Sequence, residues 1–169
     1  MGDPGRKHKK YSKPKKKFEL ARIKEEEALI QKYGLKNKKE LWKAEFKIDK
    51  IRRQAKEIIS KPHQTEQLVS KLKVLGFKVG AIDDILALTK ENLLERRLQT
   101  VLVRKGFAKT LKEARQLVVH KHVFVSKNIV NIPSFIVPTA LEDEISLVKK
   151  QKKEKSAVIK SEEGMGGGD

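Results

Sequence analysis

The sequence predicts a mainly helical α+β chain in four parts: a basic arm (1–17), a helical domain (18–90), a domain of two helices plus a small antiparallel sheet (91–150) and a flexible tail (151–169). Three observations predict it. Apolar residues recur at helical spacing from Leu41 to Ile58, the spacing switches to period two after His120, and both ends lack the apolar content of a core.

In chain order, Met1–Lys17 holds eight bases, two prolines and two glycines, and Met1 is its one aliphatic residue. Such a segment is expected to be disordered alone and to order on a partner. Phe18–Tyr33 reads as a helix stopped by Gly34. Asn37 then reads as an N-cap, with Glu40 three residues on completing a capping-box variant. Behind it, Leu41, Ala44, Ile48, Ile51, Ala55 and Ile58 form one stripe that ends before Pro62, with Lys43, Lys47, Lys50 and Arg53 off the stripe as a basic flank. Trp42 sits beside the stripe, where partial burial is favoured over stacking on a base. Thr65–Leu75 reads as a further helix ending at Gly76, and Ala81–Leu88 as a short apolar segment. Its Asp83 and Asp84 are better read as complementing the helix dipole than as a magnesium or acid–base pair.

From Glu91 the pattern is a helix with Leu94, Leu98, Val101 and Leu102 on one face and Arg96, Arg97 and Arg104 elsewhere, closed by Gly106. Thr110–Glu113 is a capping box opening a second helix, with Leu111, Ala114, Leu117 and Val118 inward and Lys112 and Arg115 outward. The small sheet follows: Val123 and Val125, a turn at Ser126–Asn128, the run from Ile129 to Ile132, and an extended Phe135–Pro138 after Pro133. Lys149–Lys155 and the Gly-rich 164–169 read as a mobile tail.

The chain carries 40 bases against 22 acids, a net charge of +18. Self-repulsion at that charge calls for a polyanionic partner. Residues 1–60 have 20 bases and 9 acids, and residues 90–137 have 10 and 3, so the two basic regions flank a nearly neutral segment. No apolar run reaches the ~18 residues of a spanning helix, which disfavours a membrane as the partner. With no cysteine, a disulfide framework, a thiolate metal site and a redox role are excluded. His120 and His122 form a His-x-His pair without a third ligand at useful spacing, so no metal and no cofactor are expected. Two angled helices would present Arg96, Arg97, Arg104, Lys105, Lys109, Lys112 and Arg115 as one concave basic surface. That suits A-form RNA, whose shape is read through phosphates and 2′-hydroxyls. Phe107, Phe124 and Phe135 are assigned to the core.

Leu94–Thr100, Lys105–Thr110, Ala114–His120 and Ile132–Val137 together resemble the αL RNA-binding motif of the small-subunit ribosomal protein four family. Met1–Lys7, Lys32–Trp42 and Asp83–Thr89 resemble its archaeal branch, and the resemblance covers about residues 1–145. It implies a non-catalytic, cytoplasmic constituent of the small subunit. Such a protein binds small-subunit ribosomal RNA, nucleates assembly of the 5′ domain and contributes to decoding accuracy. Its expected neighbours are small-subunit proteins, protein five among them, and messenger RNA near the entry path; neither a membrane nor a second copy is expected. The resemblance assigns RNA contact to Arg96, Arg97, Arg115, His120 and His122. To these the basic regions add Arg6, Lys7, Lys9, Lys10, Lys13, Lys15, Lys16, Lys47, Lys50, Arg52, Arg53, Arg104, Lys105, Lys109, Lys112 and Lys121.

Two positions depart from the family pattern. Lys121 stands where the family has glycine between the two histidines, so either the backbone there is ordinary or the local RNA contact has changed. The Ser126–Asn128 turn also lacks the expected glycine, and Asn128 is the residue there that tolerates a left-handed conformation. The N-terminal cysteines of some bacterial relatives are absent, so no zinc is carried over. Three other readings compete. The αL motif also serves as an RNA-anchoring appendage on enzymes such as pseudouridine synthases, but the preceding 90 residues show no phosphate-binding glycine loop and no nucleophile–base set. An αL-motif RNA-binding protein outside the ribosome would carry the same motif, and a nonspecific nucleic-acid chaperone would also account for the charge.

Overall fold

The computed structural model describes residues 10–147. Its helices are α1 (Leu20–Tyr33), α2 (Lys38–Ile58), α3 (Pro62–Val74), α4 (Ile82–Ala87), α5 (Lys90–Glu95), α6 (Leu98–Arg104), α7 (Leu111–Val119) and α8 (Thr139–Glu142). Three short strands, β1 (Val123–Val125), β2 (Asn128–Ile129) and β3 (Ile145–Leu147), form one antiparallel sheet in the order β2-β1-β3. The arm's first nine residues, with Arg6, Lys7 and Lys9, and the tail beyond residue 147 lie outside the described residues.

Two apolar clusters organise the chain. The stripe on α2 supplies Leu41, Ala44, Ile48 and Ala55 to the first, which also takes Tyr33, Leu72, Phe77, Ile85, Leu93 and Leu94. The second gathers Leu98, Val101 and Leu102 of α6, Ala114 and Val118 of α7, Val123 and Val125 of β1, and Val137 and Ile145. Asn37 caps α2 as its sequence indicates, its side chain accepting from the Glu40 amide at 3.2 Å. Asp84 accepts from the Gly80 and Ala81 amides at 2.7 and 3.1 Å, which fixes it at the start of α4. Pro62 opens α3, where its missing N–H is no loss, so that helix begins three residues before Thr65.

The stretch from Glu91 to Arg104 differs from the single helix its periodicity suggests. Arg96 (φ −88°, ψ 1°) and Arg97 (φ −70°, ψ 145°) turn a corner between α5 and α6. Segment 135–137 supplies the hydrogen bonds that the helix gives up there. The Leu98 amide donates to the Phe135 carbonyl at 2.8 Å, the Val137 amide donates to the Arg96 carbonyl at 3.0 Å, and Arg97 bridges Ile136. Leu94 therefore belongs to the first cluster and Leu98 to the second; they do not share a face. For the same reason Phe135–Pro138 is not a strand of the sheet. Its place is taken by Ile145–Leu147, which pairs with β1.

Four helices end in the same hydrogen-bonded turn, in which two amides past the helix fold back onto its last carbonyls. Gly34, Gly76 and Gly106 take the left-handed position in three of them (φ 58°, 81° and 76°), and Lys121 takes it in the fourth, after α7, at φ 61°. The backbone at Lys121 is thus not ordinary, and it carries strain that glycine would not. In the β1–β2 turn the left-handed residue is Ser126 (φ 58°), while Asn128 is in strand. Within the described residues the arm packs against the helices: Tyr11 stacks on Trp42 with centroids 6.5 Å apart, and Arg22 donates to the Lys16 and Lys17 carbonyls. Trp42 is half-buried and donates to Glu26 at 3.1 Å.

Candidate nucleic-acid interface

The basic residues fall into two sets that the sequence does not separate. One set is spent inside the protein. Arg96 and Arg97 do not project outward; they are 7% and 3% exposed. Arg96 donates to the carbonyls of Val137 (2.7 Å) and Leu75 (3.2 Å) and to Glu142 (2.9 Å). Its guanidinium occupies the space that a Cβ on Gly76 would need, so Gly76 serves both the left-handed turn and this close approach. Arg97 diverges from its neighbour to Glu40, at 2.8 Å, and Arg115 of α7 donates to both oxygens of the same carboxylate at 2.7 and 3.1 Å.

Glu40 is therefore the joint between the first turn of α2 and the second cluster. It was legible in the sequence only as a capping residue. Burial pushes its carboxyl up, but the hydrogen bonds and charges of Arg115 and Arg97 outweigh burial and hold it below its ordinary value. Arg97 is shifted down by burial, with Glu40 acting against that shift. A guanidinium suits such a place because its planar fork reaches several acceptors and is weakly hydrated. Gln99 adds a buried tie across the same seam, donating to the Tyr33 carbonyl at 2.6 Å.

Arg104 and Lys105 go another way. Arg104 donates to the Glu95 carbonyl at 2.8 Å and lies 3.8 Å from Glu142, and Lys105 pairs with Asp143 at 2.9 Å. Five of the seven bases expected on one concave surface are thus divided between Glu40 of α2 and the acids at the end of α8, Glu142 and Asp143. Arg52 is likewise partly engaged, donating to the Leu88 carbonyl at 2.6 Å.

The other set is exposed. Lys43, Lys47, Lys50 and Arg53 run along one flank of α2, and among the described residues none of them has a salt-bridge partner. Lys10, Lys13, Lys15 and Lys16 of the arm are exposed as well, as are Lys109, Lys112, His120 and Lys121 at the two ends of α7; His122 is half-buried, its ring 6.4 Å from that of His120.

Between the α2 flank and the loop before segment 135–137 lies an open groove of about 570 Å³. Lys10, Lys43, Lys47 and Lys50 line it, together with Arg97, Arg115 and Glu40 from the seam. Its remaining lining is apolar apart from Ser134: Ala44, Phe46, Leu93 and Pro133. Lys47 is pushed below its ordinary value, first by crowding of its ammonium against the protein and then by Arg97, Lys43 and Lys10. Positive charge is thus concentrated here, since the acid in the lining, Glu40, is already engaged by Arg97 and Arg115. Phe46, Ser134 and Glu40 were not singled out for this site by the sequence, because nothing in the spacing brings the 133–134 loop to α2.

Residues 96–145 match the S4 domain family. Over most of its length the chain is similar to proteins named small ribosomal subunit protein uS4. With that of Methanococcus aeolicus it is 43% identical over 86% of this chain and 87% of the relative. The corresponding figures are 41%, 86% and 78% for Thermoplasma acidophilum, and 40%, 86% and 87% for Methanospirillum hungatei.

Proposed function

The chain belongs to the uS4 family of small ribosomal subunit proteins, and from that premise we propose that it binds small-subunit ribosomal RNA directly through the lysine flank of α2 and its groove. In this reading it is a structural, non-enzymatic constituent of the cytoplasmic small subunit, with a helical domain over 18–90 and an RNA-binding domain over 91–150. It binds early, nucleates folding of the 5′ domain, contacts neighbouring proteins such as protein five, and contributes to decoding accuracy near the messenger path.

The observation that carries the reading is the row of exposed Lys43, Lys47 and Lys50, without a salt-bridge partner among the described residues, beside the S4 domain of a chain with net charge +18. Each lysine that meets a phosphate releases counterions, which gives affinity and a steep salt dependence. Lys109, Lys112, His120 and Lys121 extend the same contact along α7, and Lys10, Lys13, Lys15 and Lys16 extend it along the arm. Arg96, Arg97 and Arg115 contribute mainly by fixing the elements that carry the lysines.

The test is a filter-binding titration of the full chain against a 5′-domain fragment of small-subunit ribosomal RNA and a scrambled RNA of equal length, at several salt concentrations. A preference for the fragment that persists at high salt supports the reading. Equal affinities that collapse together with salt would overturn it in favour of a nonspecific polyanion binder.

A further inference from the structure

The groove beside α2 is more than a basic patch, because its two kinds of lining need two kinds of ligand surface. The lysines Lys43, Lys47 and Lys50 call for phosphate. The Phe46, Leu93 and Pro133 lining calls for something flat or apolar that leaves water behind. An A-form duplex meets only the first need. It offers phosphates and a shallow groove edge, and its bases are stacked away from any side chain. A duplex lying on the lysine flank would leave the apolar lining wet.

The geometry points to an unpaired, unstacked nucleotide of RNA as the occupant, with its base against Phe46 and Pro133, its phosphate on Lys43 and Lys47, and the Ser134 hydroxyl within the same groove to meet a polar edge. This deepens the RNA-binding reading above and rests on it. Four observations support it. The groove's volume of about 570 Å³ lies within the range of about 300–1,000 Å³ found for clefts that take small organic ligands. Phe46 is half-buried, although it lies on the basic flank of α2 and off the Leu41–Ala55 stripe. Lys47 is also held below its ordinary value, first by its burial against the protein and then by three cations nearby, and an entering phosphate would offset the second of these causes. The acid in the groove, Glu40, is already engaged by Arg97 and Arg115 and does not compete with a phosphate for the lysines.

The test uses the full chain and a six-nucleotide single-stranded RNA carrying one 2-aminopurine, alone and paired with its complement. The single strand should bind about tenfold or more tighter than the duplex, with 2-aminopurine fluorescence quenched on binding. Phe46→Ala should lose about 5- to 150-fold in single-strand affinity, the range for one stacked base, and leave duplex affinity unchanged. Phe46→Leu keeps an apolar side chain there and removes the π-face; it should fold like the parent by circular dichroism and still lose the quenching. Equal affinity for both RNAs, or unaltered binding by both Phe46 variants, would overturn the inference and leave a phosphate-only surface. Displacement of the RNA hexamer by a hexaglutamate peptide bound more tightly than the RNA would overturn it too, giving the groove to an acidic protein segment.

The ribosomal-fragment titration, run in parallel, separates this proposal from the one it rests on. Preference for the fragment with no effect of Phe46 sinks the nucleotide alone. Loss of that preference sinks the ribosomal reading, whatever the hexamer does.

Discussion

The seam around Glu40 and the lysine flank that begins one turn later on the same helix are both crowded with positive charge, yet they are built in opposite ways. At the seam, two arginines converge on one carboxylate whose side chain is 18% exposed, and the Arg97 side chain is 4% exposed. On the flank, Lys43, Lys47 and Lys50 face water with no acid of their own among the described residues. The seam uses forks that reach several acceptors, and the flank uses single point charges on flexible stems. In a chain of this charge, the residue type and the nearest acid decide which bases hold the fold and which are left for a partner.

Removing the acid from the seam should have the largest effect. Glu40→Ala leaves Arg97 buried without a counter-charge, and about 3–5 kcal/mol of stability should be lost in urea unfolding. A loss under 1 kcal/mol would mean the seam is no more than a surface ion pair. The same carboxylate sets part of the acid response. Its folded pKa lies below its unfolded value of about 4.3, so its contribution is complete above that pH and fades as pH falls through the lower, folded value. Glu40→Gln should flatten that limb of the stability–pH curve; an unchanged limb would assign it to other carboxylates.

The flank should answer in binding and not in folding. Lys43→Gln, Lys47→Gln and Lys50→Gln together should lower the salt slope by about 2.7 if each meets one phosphate, so the affinity lost between 50 and 200 mM salt shrinks by about 40-fold. Stability should move by no more than about 0.5 kcal/mol per site. Lys47→Gln should move it upward, since the free protein holds that charge at a disadvantage. A slope unchanged in the triple variant would take RNA off this flank. The smallest effect is local: Lys121→Gly should stabilise the free chain by about 1 kcal/mol by relieving the left-handed backbone at φ 61°. Any RNA affinity lost in that variant would show that the lysine is kept for its charge.

This division also explains what could be read from the sequence. The α2 stripe, the Asn37 cap, the α7 helix and the β1–β2 hairpin rest on local spacing, and local spacing is visible. The α5–α6 corner was hidden because Leu94 and Leu98 keep a four-residue step across it, although a distant segment breaks the helix there. Arg96 and Arg97 read as surface because arginine usually is; their burial depends on acceptors 21 to 57 residues away. The lysines of the groove were legible as a helical flank. Its apolar lining was not, since Phe46 needs Pro133 and Leu93 beside it to become part of a site.

The long sequence separation at the seam has a consequence for synthesis. Glu40 is made 57 residues before Arg97 and 75 before Arg115. At about 5–20 residues per second, a nascent chain holds that carboxylate without its second partner for roughly 4–15 s. Through this interval α1–α4 can gather their apolar stripe, but α2 has nothing to clasp at its first turn. The groove waits longer still, until Pro133 and Ser134 have left the exit tunnel. A chain interrupted before that point carries the lysines without the cleft, and so attracts polyanions without the shape to choose among them.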